Sequence, residues 1–145
     1  MIRNIIWDFD GTLFDTYPAI TRSFQAVLNQ NGFTASPDWI ESLAKQSLGT
    51  CADTLAAHFN LDPVAFGQAF LTSYGEVLPE AQPPFPGVIK VCQRICSTGG
   101  NNLIVTHRGR KSMLKLLDAY ELTPSFVGFV TNDDGYPKKP DPTAF

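Results

Sequence analysis

Apolar residues fall into three short runs and one long stretch of helical spacing. Ile2, Ile5, Ile6, Trp7 and Phe9 crowd residues 2 to 9 and stop at Asp10-Gly11, the pattern of a buried strand closed by a turn. Leu103-Ile104-Val105-Thr106 follows Gly99-Gly100-Asn101-Asn102, and Phe126 to Val130 follows Thr123-Pro124. Both predict further strands. Between them, Met113, Leu116, Leu117 and Tyr120 share one helical face, the crossover that parallel strands require.

Residues 16 to 82 carry helix signals and no strand pattern. Thr16 and Pro18 open a helix with Ile20, Phe24, Val27 and Leu28 on one stripe before Gly32. Ser36-Pro37 opens a second with Ile40, Leu43 and Ala44, and Thr50 or Cys51 a third with Leu55 and Phe59. Asp62-Pro63 opens a fourth with Phe66, Ala69, Phe70, Tyr74 and Val77. Residues 79 to 87 contain four prolines and cannot continue a helix, so they form a return linker. Val88, Val91, Cys92, Ile95 and Cys96 then share a helical face, which predicts buried cysteines. The expected layout is an α/β core, residues 1–15 and 83–145, interrupted by a helical insertion, residues 16–82.

With 145 residues, 43% of them hydrophobic, the chain has material for a true core. A net charge of −3 without any Lys/Arg run gives no electrostatic footprint for a nucleic acid or an acidic membrane, which leaves a small molecule as the expected partner. The first apolar run is too short for a signal sequence or a spanning helix, so a cytoplasmic protein is expected. Three cysteines cannot pair completely.

Each predicted strand runs into a chemically loaded loop: Asp8 to Thr12, Thr106 to Arg110, and Asp133 to Lys139. In an open parallel sheet ligands bind beyond the carboxyl ends of the strands, so these loops should converge. A turn at Asp10-Gly11 would leave two carboxylates near one reacting atom, one to attack and one to move protons. Gly11 permits a tight turn, and the amides of Gly11 and Thr12 could then hold phosphate oxygens. The competing reading of D-x-D-G is a solvated turn.

The segment from Ile5 to Thr16, an apolar strand followed by Asp8-Phe9-Asp10-Gly11-Thr12, resembles the first motif of the haloacid-dehalogenase superfamily. Leu103 to Thr106 resembles the second motif, and Lys138-Lys139-Pro140-Asp141-Pro142 the third. The helical insertion after the first motif, and Pro86-Gly87 before a helix, are similar to the phosphoglycolate-phosphatase and β-phosphoglucomutase-like branch. The resemblance implies a Rossmann-like parallel sheet with an inserted α-helical cap. It also implies a magnesium-dependent phosphohydrolase acting on a small phosphorylated metabolite.

Carried onto this chain, it makes Asp8 the nucleophile that forms an aspartyl-phosphate and Asp10 the acid and base. Asp8 and the Asp10 carbonyl would bind magnesium. Thr106 and the amide of His107 would hold phosphate oxygens, and Lys139 would neutralise charge. Such charge is needed, since a carboxylate about 4 Å from a phosphate dianion is repelled by roughly 8 kcal/mol at an effective dielectric of about 20. Arg108 either grips substrate or belongs, with Arg110 and Lys111, to a solvated helix start. Lys45 and Gln46 either reach the site or remain on the surface. His58 reads as an ordinary helix residue, and Asp133 and Asp134 as a turn or a metal-proximal pair.

Nothing in the sequence matches the superfamily's fourth motif, an acidic strand end, and Asp141-Pro142 reads as a helix start. The expectation is a piece of a longer phosphatase; the alternative is a shortened member that binds without turnover. The resemblance places the first strand between the second strand and the unmatched fourth, so this chain would leave it as an uncovered edge, which predicts self-association through it. A phosphomutase is the competing enzyme. Dehalogenation and phosphonate cleavage are disfavoured by the acid at position 10.

Overall fold

The computed structural model describes residues 2–145, which form two compact units: the chain up to Asp15 with Gln82–Phe145, and Thr16–Ala81. The first unit holds a parallel sheet of β1 (Asn4–Trp7), β2 (Asn101–Val105) and β3 (Gly128–Val130), in that order. Helix α5 (Val88–Ser97) leads into β2, and α6 (Arg110–Ala119) is the crossover from β2 to β3. This is an α/β, Rossmann-like arrangement.

Its core gathers Phe9, Leu13, Phe14, Cys92, Ile104, Met113, Leu116 and Leu117, all fully buried. One buried polar side chain stitches the layers. The Asn102 carboxamide oxygen accepts from the Trp7 indole at 3.0 Å, and its nitrogen donates to the carbonyls of Cys92 (3.0 Å) and Ser125 (3.1 Å). A buried amide so fully paired fixes β1, α5 and the turn before β3 in one register.

Several sequence expectations shift. β1 is the uncovered edge expected from the unmatched fourth motif, but not the buried strand that its apolar run predicts, since Ile6 is 49% exposed. β2 begins at Asn101, ahead of the apolar run, because the Asn101 amide already donates to the Arg3 carbonyl at 2.9 Å. Cys96 and Val91 are exposed, so only Val88, Cys92 and Ile95 of the α5 stripe reach the core. Burial pushes the Cys92 thiol up to about 11, which makes it an inert packing group.

The second unit contains α1 (Tyr17–Gln30), α2 (Pro37–Ala44), α3 (Leu48–His58) and α4 (Pro63–Gly75) around its own core. Phe24 of α1 stacks on Phe70 of α4 with centroids 3.8 Å apart. Ser36 and Asp62 cap α2 and α4, as their positions before Pro37 and Pro63 predict. Helix α3 starts earlier than Thr50, because the Ser47 hydroxyl accepts from the Thr50 amide at 2.9 Å and so caps the helix itself. Val77 lies beyond the end of α4. Among the described residues no helix is long and apolar enough to cross a membrane.

The approach of residues 99–101 to β1 leaves no room at Gly100, where a Cβ would stand 1.9 Å from the Arg3 carbonyl oxygen. Gly67, inside α4, has nothing within 4 Å of its Cβ position. Gly100→Ala should therefore cost about 3 kcal/mol or more, whereas Gly67→Ala should stabilise by about 0.5–1 kcal/mol. Urea unfolding midpoints check both signs; equal midpoints for the two variants would contradict the packing described.

Candidate active site

The three strands deliver their following residues to one edge of the sheet. Trp7 pairs with Ile104 and Val105 with Val130, so Asp8, Thr106 and Thr131 leave the sheet together. The chain then curls: Gly11 adopts φ +73°, and the amides of Thr12, Leu13 and Phe14 all point at the Phe9 carbonyl, at 3.3, 3.0 and 3.1 Å. The Gly11 amide donates to the Phe14 carbonyl at 2.9 Å. The expectation that Gly11 and Thr12 hold phosphate oxygens through their amides is therefore corrected. The positive φ turns those donors inward to close the loop, leaving them to brace Asp8 and Asp10.

The first carboxylate meets a cation from the far end of the chain. Asp8 Oδ1 accepts from Lys139 Nζ at 2.7 Å and from the Phe9 amide at 2.8 Å. Lys139 Nζ also donates to the Val105 carbonyl at 3.1 Å. Nearly half of the Asp8 side chain stays exposed, and among the described residues its Oδ2 has no protein partner.

The second carboxylate has its own cation. Arg108 Nη1 donates to Asp10 Oδ1 at 2.8 Å, with the arginine side chain only 6% exposed and Asp10 23%. The guanidinium lies 5.4 Å from the Phe9 ring centroid, a cation–π placement. Of the two earlier readings of Arg108, the solvated helix start fails, because the side chain is buried. Two carboxylates and two cations thus meet in this unit.

Thr106 is buried, and its Oγ1 accepts from the Arg108 amide at 3.0 Å. A hydroxyl that accepts there still has its proton to donate to a ligand oxygen. The His107 ring turns the other way, its Nε2 accepting from the Lys139 amide at 2.7 Å. Burial holds the His107 imidazole below its ordinary value, with Lys139 and Lys138 adding to the effect, in keeping with a ring nitrogen that accepts.

Asp133 and Asp134 are structural. Asp133 accepts from the Arg110 amide at 2.7 Å and so caps α6, which Gly109 leaves without a side-chain cap. Asp134 takes the Thr131 amide at 2.7 Å and the Arg110 guanidinium at 2.8 and 2.9 Å. Those Thr131 bonds, with Arg110 secondary, hold its carboxyl below the usual range. Arg110 is accordingly paired, not simply solvated. In the helical unit Lys45 pairs with Glu41 at 2.6 Å and lies over the Tyr17 ring, and His58 packs edge-on to Trp39 and Phe59. Three relationships escaped the sequence reading: Arg108 on Asp10, the His107 ring on Lys139, and Asp133 on α6. Each depends on side-chain direction, which residue spacing in a loop does not encode.

The donor set can be tested against magnesium. The ion takes hard oxygens, keeps several waters and needs one or two protein carboxylates, which the Asp8 carboxylate, nearly half exposed, satisfies. Among the described residues no group of three or more His, Cys, Asp or Glu could hold a metal, so only a sparse, water-rich site fits.

The two ion pairs differ in burial and should differ in energetic weight. Asp10→Ala leaves the buried Arg108 without its carboxylate and should cost about 2–4 kcal/mol. Lys139→Met breaks a half-exposed pair and should cost about 1 kcal/mol or less. Denaturant titrations of both variants would contradict this weighting if Lys139→Met proved the more damaging.

Comparison with known proteins agrees with this architecture. The family model for haloacid dehalogenase-like hydrolases matches residues 5–145. A phosphoglycolate phosphatase of Caulobacter vibrioides is 28% identical over 143 residues, 94% of this chain and 60% of the relative. One from Rhodobacter capsulatus is 29% identical over 149 residues, 98% of this chain and 67% of the relative. The chain thus spans about three-fifths to two-thirds of the length of these curated relatives. A hydrolase structure from Streptococcus pneumoniae, 28% identical, superposes with a TM-score of 0.66 over 95% of this chain and 71% of that one. A structure described as a haloacid dehalogenase-like hydrolase from Bacteroides fragilis, 20% identical, shares the fold with a TM-score of 0.83, covering 98% of this chain and 69% of that one. A family match across nearly the whole chain, on a parallel sheet that ends in a pair of cation-matched aspartates, leaves one conclusion: the chain belongs to the haloacid dehalogenase-like hydrolases.

Proposed function

We propose that this chain carries the chemical centre of a magnesium-dependent phosphatase that hydrolyses a small phosphate monoester through an aspartyl-phosphate on Asp8. The observation that carries the reading is the pairing of Asp8 with Lys139 at 2.7 Å beside Asp10 with Arg108 at 2.8 Å. A nucleophilic carboxylate must approach an anionic phosphate, and that approach requires cations already in place. The names of the curated relatives favour 2-phosphoglycolate as substrate and hydrolysis over mutase chemistry.

In this reading Lys139 stays on Asp8 Oδ1 while Oδ2 attacks phosphorus. The new bond is Asp8 Oδ2 to phosphorus, and the bond from phosphorus to the alcohol oxygen breaks. Asp10 gives that oxygen a proton, then takes one from the water that attacks the acyl phosphate and releases orthophosphate. Thr106 donates its hydroxyl proton to a non-bridging oxygen. Magnesium, held by Asp8 and the Asp10 carbonyl, would supply further charge compensation when bound.

The test is release of orthophosphate from 2-phosphoglycolate and p-nitrophenyl phosphate, with magnesium and with EDTA, for the wild-type chain and Asp8→Asn. Turnover that needs magnesium and falls at least about a thousandfold in Asp8→Asn is expected. Metal-independent turnover, or an Asp8→Asn variant as fast as wild type, would reject the mechanism.

A further inference from the structure

We infer that His107 is a positioning residue, its Nε2 holding the Lys139 amide and thereby setting where the Lys139 ammonium stands against Asp8. The inference rests on the phosphatase reading only for its kinetic consequence; the placement of Lys139 can be measured without turnover.

The argument begins with the segment that carries the lysine. Residues 136–140 form no helix or strand, and two of the five are prolines, Pro137 and Pro140, without an amide donor. The Lys138 carbonyl accepts from the Asp141 amide at 3.1 Å, a bond local to the segment. Among the described residues, the bond from the Lys139 amide to His107 Nε2, 2.7 Å long, is the one hydrogen bond that ties the backbone of 136–140 to the rest of its unit. The same residue's ammonium makes the two bonds that matter for chemistry, to Asp8 Oδ1 and to the Val105 carbonyl.

Lysine is a point charge on a flexible four-carbon stem and has no planar fork to fix its own geometry. Its precision must come from where its backbone is pinned and from its acceptors. His107 supplies the pin from the turn after β2, one residue beyond Thr106 and one before Arg108. That turn therefore addresses both carboxylates: Arg108 holds Asp10 directly, and His107 holds Asp8 through Lys139. Displacing a charge by about 1 Å from a reacting centre is enough to cost a large factor in rate. Protonating Nε2 would replace the acceptor by a donor facing another N–H, so the ring must be in its Nδ1–H form. Burial and the neighbouring Lys139 and Lys138 hold the ring below its ordinary value, in keeping with that form.

Two variants separate positioning from mere packing. His107→Leu fills similar space without an acceptor, and His107→Gln returns an acceptor oxygen near the place of Nε2. With two histidines in the chain, long-range nitrogen NMR assigns both rings, His58→Gln identifying the other signal. Wild type should show the Nδ1–H tautomer at His107 and slow exchange of the Lys139 amide. That amide should exchange faster in His107→Leu and remain protected in His107→Gln.

With 2-phosphoglycolate and magnesium, His107→Leu should lower kcat by about tenfold while KM changes less than about threefold, and His107→Gln should restore kcat to within about threefold. An Nε2–H tautomer, an unprotected Lys139 amide in wild type, or equal kcat for the Leu and Gln variants would overturn the inference. If wild type fails to turn over either ester, the phosphatase reading fails alone, and the tautomer and exchange data still decide the placement of Lys139.

Discussion

The α/β unit places two carboxylates, two residues apart on one loop, at the ends of its strands, and each must be balanced by positive charge. The solution is one cation for each. Lys139 meets the exposed Asp8, and Arg108 meets the less exposed Asp10 from an almost completely buried position. The division follows from the side chains. A buried position suits arginine, which is weakly hydrated and here lies against the Phe9 ring, whereas the exposed Asp8 is matched by a compact ammonium. Asp8 Oδ1 is thereby occupied, while among the described residues Oδ2 has no protein partner.

The sheet makes this pairing possible. Residues 8 and 139 are separated by nearly the whole chain, yet β1, β2 and β3 end at the same edge because they are parallel and in register. The loop after β1 is closed by three amides on the Phe9 carbonyl, and the turn after β2 by the Thr106 hydroxyl on the Arg108 amide. The loop after β3 is pinned by Asp133 and Asp134 to Thr131 and Arg110. Those bonds use groups that a ligand could otherwise have claimed. In the first loop the amides of Gly11 to Phe14 brace the turn itself.

Much of this was legible in the sequence, for reasons that can be named. The strands were visible because short apolar runs end at turn residues, and three of the four helix starts of the insertion because Pro18, Pro37 and Pro63 stand there. Asp8, Asp10, Thr106 and Lys139 were singled out from the sequence as the candidate set, and the structure brings Lys139 onto Asp8. The α3 start was not legible, because Ser47 carries no apolar signal and its cap depends on backbone geometry. The uncovered edge at β1 was expected from the unmatched fourth motif and not from the apolar run, which states what a strand would bury, not whether a neighbour covers its other side. The Arg108 and His107 side chains were ambiguous because successive loop residues have no fixed period of direction. Only the folded turn sends one ring to Lys139 and the next side chain to Asp10.

Charge balance makes a claim that can be checked without turnover, through the affinity for inorganic phosphate. Isothermal titration with EDTA present, so that no metal contributes, should show phosphate binding more tightly to Asp8→Asn than to wild type and more weakly to Lys139→Met, each by about tenfold or more, since one variant removes a negative neighbour and the other a positive one. Affinities that move in the same direction, or that do not move, would contradict the view that paired charges at residues 8 and 139 govern the approach of phosphorus.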